Sequence, residues 1–279
     1  FYDPYAPDPL ATNPAADVDY YTFRVAGPGR YALTAEVFAG RIGSRLDAGL
    51  SLYRFDPADG QLHLVAANAN TRNGVATANG MVPLFTDPAV FAGLEAGTYV
   101  VAVSSNWNTP DPYLGLTPGA DGVFDPNAGH SGTNGGSTGR YVLNVALRPA
   151  PTPPAVVSTT LAGGAAPTTF AVQFTRAVNL QRLAYEAYNQ PVPGELRAVF
   201  VTGPGGATYF PRLAGYDTDT NTARFLMLDR LPAGAFELHL SGANGLTDFA
   251  DQPLVGTTPG GDDVIPFAVT AAAPGLAVS

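Results

Sequence analysis

The sequence predicts an all-β protein of two antiparallel β-sandwich domains joined by a proline-rich linker. Runs of alternating apolar and polar residues recur along the whole chain. Gly (32) and Pro (26) are abundant, while charged residues make up only 13% of the 279. Arg148–Ala155 then gathers four prolines near the middle of the chain. Alternation lays one face of a strand on a core, Gly and Pro supply tight turns, and a proline cluster reads as a semi-rigid extended spacer. The length fits two domains, each large enough to bury a core without staples.

The chain opens on FYDPYAPDPLATNPAA, residues 1–16, which is apolar and proline-rich and lacks a strand pattern. Phe1, Tyr2 and Tyr5 stand among Pro4, Pro7 and Pro9. The segment is expected to dock on another subunit or an adjacent module; the alternative is packing on its own domain. The first sandwich spans 17–147. Its strands are expected at DYYTFRV (19–25), RYALTAEVF (30–38), AGLSLYRF (48–55), TYVVAVSS (98–105) and RYVLNVAL (140–147). After the linker at 148–155, the second sandwich spans 156–271, with strands at TFAVQFT (169–175), ELRAVFVTG (195–203), TARFLMLD (222–229), AFELHLSG (235–242) and VIPFAVT (264–270), and a tail at 272–279. Two short stretches read as helix, TDPAVFAGL (86–94) and NLQRLAYEAY (179–188). Gly, one residue, an aromatic and then alternating apolars recur four times, as in PGRYALTAEV and AGAFELHL. This grammar suits a turn glycine of positive φ followed by an aromatic entering the core.

Net charge is −9, and all 14 basic residues are Arg, with no stripe of them, so nucleic acid is a poor partner. An acidic surface also disfavours anionic lipid and leaves divalent cations open. Without Lys, isopeptide cross-links through Lys cannot form, and without Cys, disulfides, thiolate metal sites and Cys nucleophiles are excluded. No apolar run approaches the roughly 20 residues of a membrane span. A start at Phe1, without Met, points to a processed or excised piece.

DVDYYTFRVAGPGRYALTAEV, SRLDAGLSLYR, LEAGTYVVAVSS and GGSTGRYVLNVAL follow one another in order. Together they resemble the bacterial pre-peptidase C-terminal domain over residues 17–147. That resemblance implies a jelly-roll-like sandwich, secretion to the extracellular space or bacterial cell surface, an accessory role and, in some members, calcium or fibrous-protein binding. The chain departs from the family at VAANANTRNG, where Asn68 and Asn70 stand in place of an acidic pair. In the second half, PPAVVSTTLAGGAAPTTFAVQFTRAVN and LPAGAFELHLSGANGLTDFADQPLVG resemble bacterial Ig-like domains, which implies a spacer, stalk or adhesive unit.

Candidate chemistry is sparse. His63, His130 and His239 show no metal-ligand spacing and read as structural or surface residues. GGSTG (135–139) matches G-x-S-x-G in letters, but a strand follows Ser137 where a nucleophile elbow needs a helix. Asp121, Asp125 and Asn127 lie in the Gly-rich PGADGVFDPNAG and could wrap a calcium ion, which wants six to eight oxygens; the same residues make Asx turns. Asp17, Asp19 and Asp47 read as turn or cap residues. DTDTN (217–221) reads as a hairpin tip. Trp107 and Tyr113, in loop-like sequence, could stack on a sugar or fill a partner's pocket. No cofactor is required. The expected function is therefore a non-catalytic extracellular subunit or module of a surface layer, stalk or filament that associates with itself or a neighbouring surface protein. The alternative is a substrate-binding accessory module of a larger secreted hydrolase.

Overall fold

A computed structural model describes residues 13–70, 84–111, 115–129, 131–150, 152–163, 169–180, 183, 197–258 and 261–270. They form two compact units, 13–150 and 152–270.

The first unit has seven strands: β1 (Val18–Val25), β2 (Tyr31–Phe38), β3 (Ala48–Asp56), β4 (Gln61–Asn68), β5 (Ala89–Leu94), β6 (Gly97–Ser105) and β7 (Val142–Pro149). They make a four-stranded sheet, β1-β6-β3-β4, and a three-stranded one, β5-β2-β7, with antiparallel pairing throughout. Leu33, Ala35 and Val37 of β2 meet Leu50 and Leu52 of β3 and Val101 and Val103 of β6 in the core between the sheets. A second cluster lies on the far face of the larger sheet, where Tyr53, Val100 and Ala102 pack with Phe124. Residues 115–129 thus supply a third layer, and β6 is buried on both faces.

Residues 86–94, expected as helix, contain strand β5 instead, in register with β2 from Ala89↔Glu36 to Leu94↔Tyr31. An apolar run this short has no periodicity to separate the two states, and burial beside β2 decides it. Of the other expected helix, only Asn179, Leu180 and Leu183 are described. Turn glycines of the recurrent pattern differ in cause. Gly29 and Gly234 have φ of +115° and +156°, whereas a Cβ at Gly139 would sit 2.3 Å from Ser44 Oγ.

One buried carboxylate fixes a corner of this sandwich. Asp87, just before β5, accepts hydrogen bonds from the N–H groups of Ala39 (2.9 Å), Gly40 (2.6 Å) and Arg41 (3.2 Å) at the exit of β2. It also pairs with Arg41 Nε at 2.9 Å.

The second unit has eight strands: β8 (Val156–Ala162), β9 (Thr169–Phe174), β10 (Val199–Thr202), β11 (Thr208–Tyr209), β12 (Arg212–Asp217), β13 (Thr222–Leu226), β14 (Gly234–Ser241) and β15 (Asp262–Val269). They form two four-stranded sheets, β12-β13-β9-β8 and β11-β10-β14-β15. Phe170 of the first and Phe236 of the second both pack on Phe267, with ring centroids 5.6 and 5.4 Å away. DTDTN is the β12–β13 turn, in which Asp217 Oδ1 accepts from the N–H groups of Asp219 and Thr220. The proline segment is short between the units, because β7 runs to Pro149 and Ala155 already bridges to Val255.

Asp87→Ala should lower the unfolding free energy of the first domain by about 3–5 kcal/mol, since it strands buried donors and an arginine. Phe85→Ala, two residues away and exposed, should change it by less than about 0.5 kcal/mol. Urea titrations of both variants check this.

Candidate functional site

Beyond β6, Asn106–Asn108 form a single 3-10 turn that lifts Trp107 off the sheet, leaving it 64% exposed. The Gly-rich stretch 131–140 straps this end of the domain. Ser137 Oγ accepts from Asp47 N (2.8 Å), Gly136 N donates to Ser105 Oγ (3.1 Å), and Asn13 Nδ2 donates to Gly135 O (3.1 Å). A Cβ at Gly135 would lie 1.9 Å from Ala15 O, and one at Gly132 would lie 2.4 Å from Asn108 Oδ1. The glycines are therefore packing requirements, and Ser137 ties the strap to β3. Trp107 rests beside Gly136, next to Asn106, whose Nδ2 donates to Asp47 Oδ2 at 3.1 Å. An exposed indole can take an apolar ring face. Tyr113 lies outside the described residues.

Asp121, Asp125 and Asn127 share the loop that carries Phe124. Asp121 adopts φ +49°, and its carbonyl accepts from Asn134 Nδ2. Asp125 and Ser131 exchange two hydrogen bonds of 2.7 Å, and Asp125 Oδ1 accepts from Asn127 N in an Asx turn. Asn127 turns to β4: its Oδ1 accepts from Leu62 N (2.7 Å) and its Nδ2 donates to Leu62 O (3.0 Å). The amide pairs with the edge strand as another backbone would.

His63 joins a cluster that sequence spacing did not reveal. Asp56, Asp59 and His63 gather on the β3–β4 hairpin with ligand-type atoms within 4.8 Å of one another. His63 Nε2 meets Asp59 Oδ2 at 2.8 Å, both well exposed. The Gln61 N–H, against the opposing effect of desolvation and with help from His63, holds the Asp59 carboxyl below its ordinary range. Register is the signal that finds them: Arg54↔His63 and Asp56↔Gln61 place His63 and Asp56 on one face.

A buried network ties β1 to the start of β7. Tyr141 Oη donates to Asp19 Oδ2 at 2.5 Å and lies 2.7 Å from Tyr21 Oη. Burial, reinforced by Asp19, drives the Tyr141 phenol far above its ordinary range. Burial also raises Tyr53, and it pushes Tyr216 up to about 12.

Among the described strands, β7 lies at the end of its sheet. It pairs with β2 on one side through Leu33↔Leu147, Ala35↔Val145 and Val37↔Leu143, so Leu143, Val145 and Leu147 share the core-facing side of β2's buried residues. Yet Val145 and Leu147 keep 40% and 37% of their surface, and Val142 on the other face keeps 50%. Phe1, Tyr2 and Tyr5 lie outside the described residues.

No protein-family model and no curated protein sequence matches the chain.

Asn127→Ala removes the amide from the β4 edge and should cost about 1–2 kcal/mol of stability. The loss should be equal in millimolar calcium and in chelator, as read by thermal melts. The tyrosines give a pH expectation. Folded Tyr141, Tyr53 and Tyr216 hold their protons above the unfolded value of about 10. Their contribution to stability is thus complete below pH 10 and falls as pH rises beyond it. Ultraviolet titration at pH 11 should find these phenols still protonated in the folded protein, and Tyr141→Phe should flatten the alkaline loss.

Proposed function

We propose that the chain is a non-catalytic extracellular structural protein, a subunit or module of a bacterial surface layer, stalk or filament. The observation that carries this reading is the β7 edge. Val142, Val145 and Leu147 stand exposed along a strand that ends its sheet among the described strands, which is the kind of surface that joins chains edge to edge. Two sandwiches in tandem give a repeating stalk or lattice unit, and the resemblance of residues 17–147 to secreted accessory domains supports a place outside the cell.

Trp107 favours a second reading, in which the chain holds a larger secreted hydrolase on protein or polysaccharide. The exposed indole would then be the contact.

Light scattering and negative-stain electron microscopy of the purified chain separate the two readings. The first expects particles that grow with concentration into fibres or sheets. A chain that stays monomeric, yet is retained by insoluble collagen, cellulose or chitin and released by Trp107→Ala, would replace it with the second.

A further inference from the structure

We infer that the β3–β4 hairpin is a binding site for a divalent transition-metal ion of the zinc class, held by Asp56, Asp59 and His63. The ligand-type atoms of these side chains lie within 4.8 Å of one another, and all three come from one stretch, 56–63. Two carboxylate oxygens and one imidazole nitrogen make a mixed donor set, and the imidazole separates it from an ordinary acidic surface cluster. Calcium wants oxygen alone, six to eight atoms of it, whereas zinc takes imidazole and carboxylate together in a four-coordinate shell. Bonds of about 2.0–2.2 Å to zinc set neighbouring tetrahedral ligands roughly 3.3 Å apart, so side-chain movements on the order of 1 Å close this set onto an ion. Three protein ligands leave the fourth position to water.

The hairpin holds these groups in place before any ion arrives. Gly60, at φ +71°, donates its N–H to Asp56 O at 2.9 Å and closes the turn. Within the turn Asp56 Oδ1 accepts from Ala58 N, and Asp59 Oδ1 accepts from Gln61 N, both at 2.8 Å. Each carboxylate is therefore oriented through one oxygen and keeps the other to offer. Asp59 Oδ2 lies 2.8 Å from His63 Nε2, and an ion entering there takes the place of the hydrogen between them. The neutral imidazole then carries its proton on Nδ1. Between Asp59 and His63 the chain is pinned from outside, because Asn127 bonds both backbone groups of Leu62. Arg54, the cation opposite His63 in register, leans toward β6: its Nε sits 3.5 Å from where a Cβ on Gly97 would be. Asp59 and His63 are well exposed and Asp56 is half-buried, so an ion reaches all three without the fold opening.

Isothermal titration of the full-length chain with zinc chloride at about pH 7.5, where an ordinary imidazole is mostly neutral, tests this. The expected result is binding that His63→Gln and Asp56→Asn each weaken at least about tenfold and that His239→Gln, in the second domain, leaves unchanged. Asp56→Asn keeps an oxygen for the Ala58 N–H, and melting curves of parent and variants in chelator should coincide, so that lost binding is not lost folding. Millimolar calcium should leave zinc binding as it was. No zinc uptake up to millimolar concentration overturns the inference and leaves Asp59 and His63 as a surface ion pair. Zinc binding that survives either substitution overturns it too, as does displacement of zinc by calcium at equal concentration. None of these outcomes bears on assembly, since each is read on the single chain.

Discussion

Backbone N–H and C=O groups at the rim of a sheet must find partners or water, and this constraint organises the molecule more than any single contact. Among the described residues four sheets present eight edges, and several are visibly blunted. β11 is two residues long, β12 carries a bulge between Leu213 and Gly215, and β15 holds Pro266 in mid-strand. At β4 the Asn127 amide takes both backbone groups of Leu62. β7 is different, since its only proline is its last residue and its exposed side chains include Val142, Val145 and Leu147. Four of the eight edges are thus blunted, and β7 is among those that keep apolar side chains exposed.

The loop layer over the larger sheet links fold to surface. Phe124 packs edge-on against Tyr20 and Tyr53, which anchors residues 115–129. With that loop fixed, Asn127 reaches β4, Asn134 reaches Asp121, and the glycine strap continues past Trp107 into β7. The exposed indole and β7 therefore belong to one continuous stretch of chain after β6, which packs through Phe124 on the second core cluster.

Much of the architecture was legible because alternation is a direct reading of a half-buried strand. All ten strand segments expected from it overlap strands of the structure. β5 was not legible as a strand, because a run such as Ala89–Leu94 suits a buried strand or a helix turn equally until a neighbour is known. Alternation also places Thr34 and Glu36 away from the core, yet both are buried, since the pattern says which face meets the other sheet and not whether the second face is covered. The sites were less legible than the strands. Trp107 stood out as the single tryptophan, in loop sequence. The partnership of Asn127 with Leu62, and that of Asp56, Asp59 and His63, depend on pairings that emerge only once strands are in register.

The contact between Asp19 and Tyr141 places the starts of β1 and β7 at the same end of the first domain. The chain enters at that end through Asn13 and leaves from the far end of β7 at Pro149. A pull on those two ends would act lengthwise on β1 and β7, across the hydrogen bonds that join β1 to β6 and β7 to β2. Every rung of those ladders would share the load at once, whereas a pull applied at one end would open them one by one like a zipper. With its two ends so placed, this sandwich would take such a pull as a tie bar does.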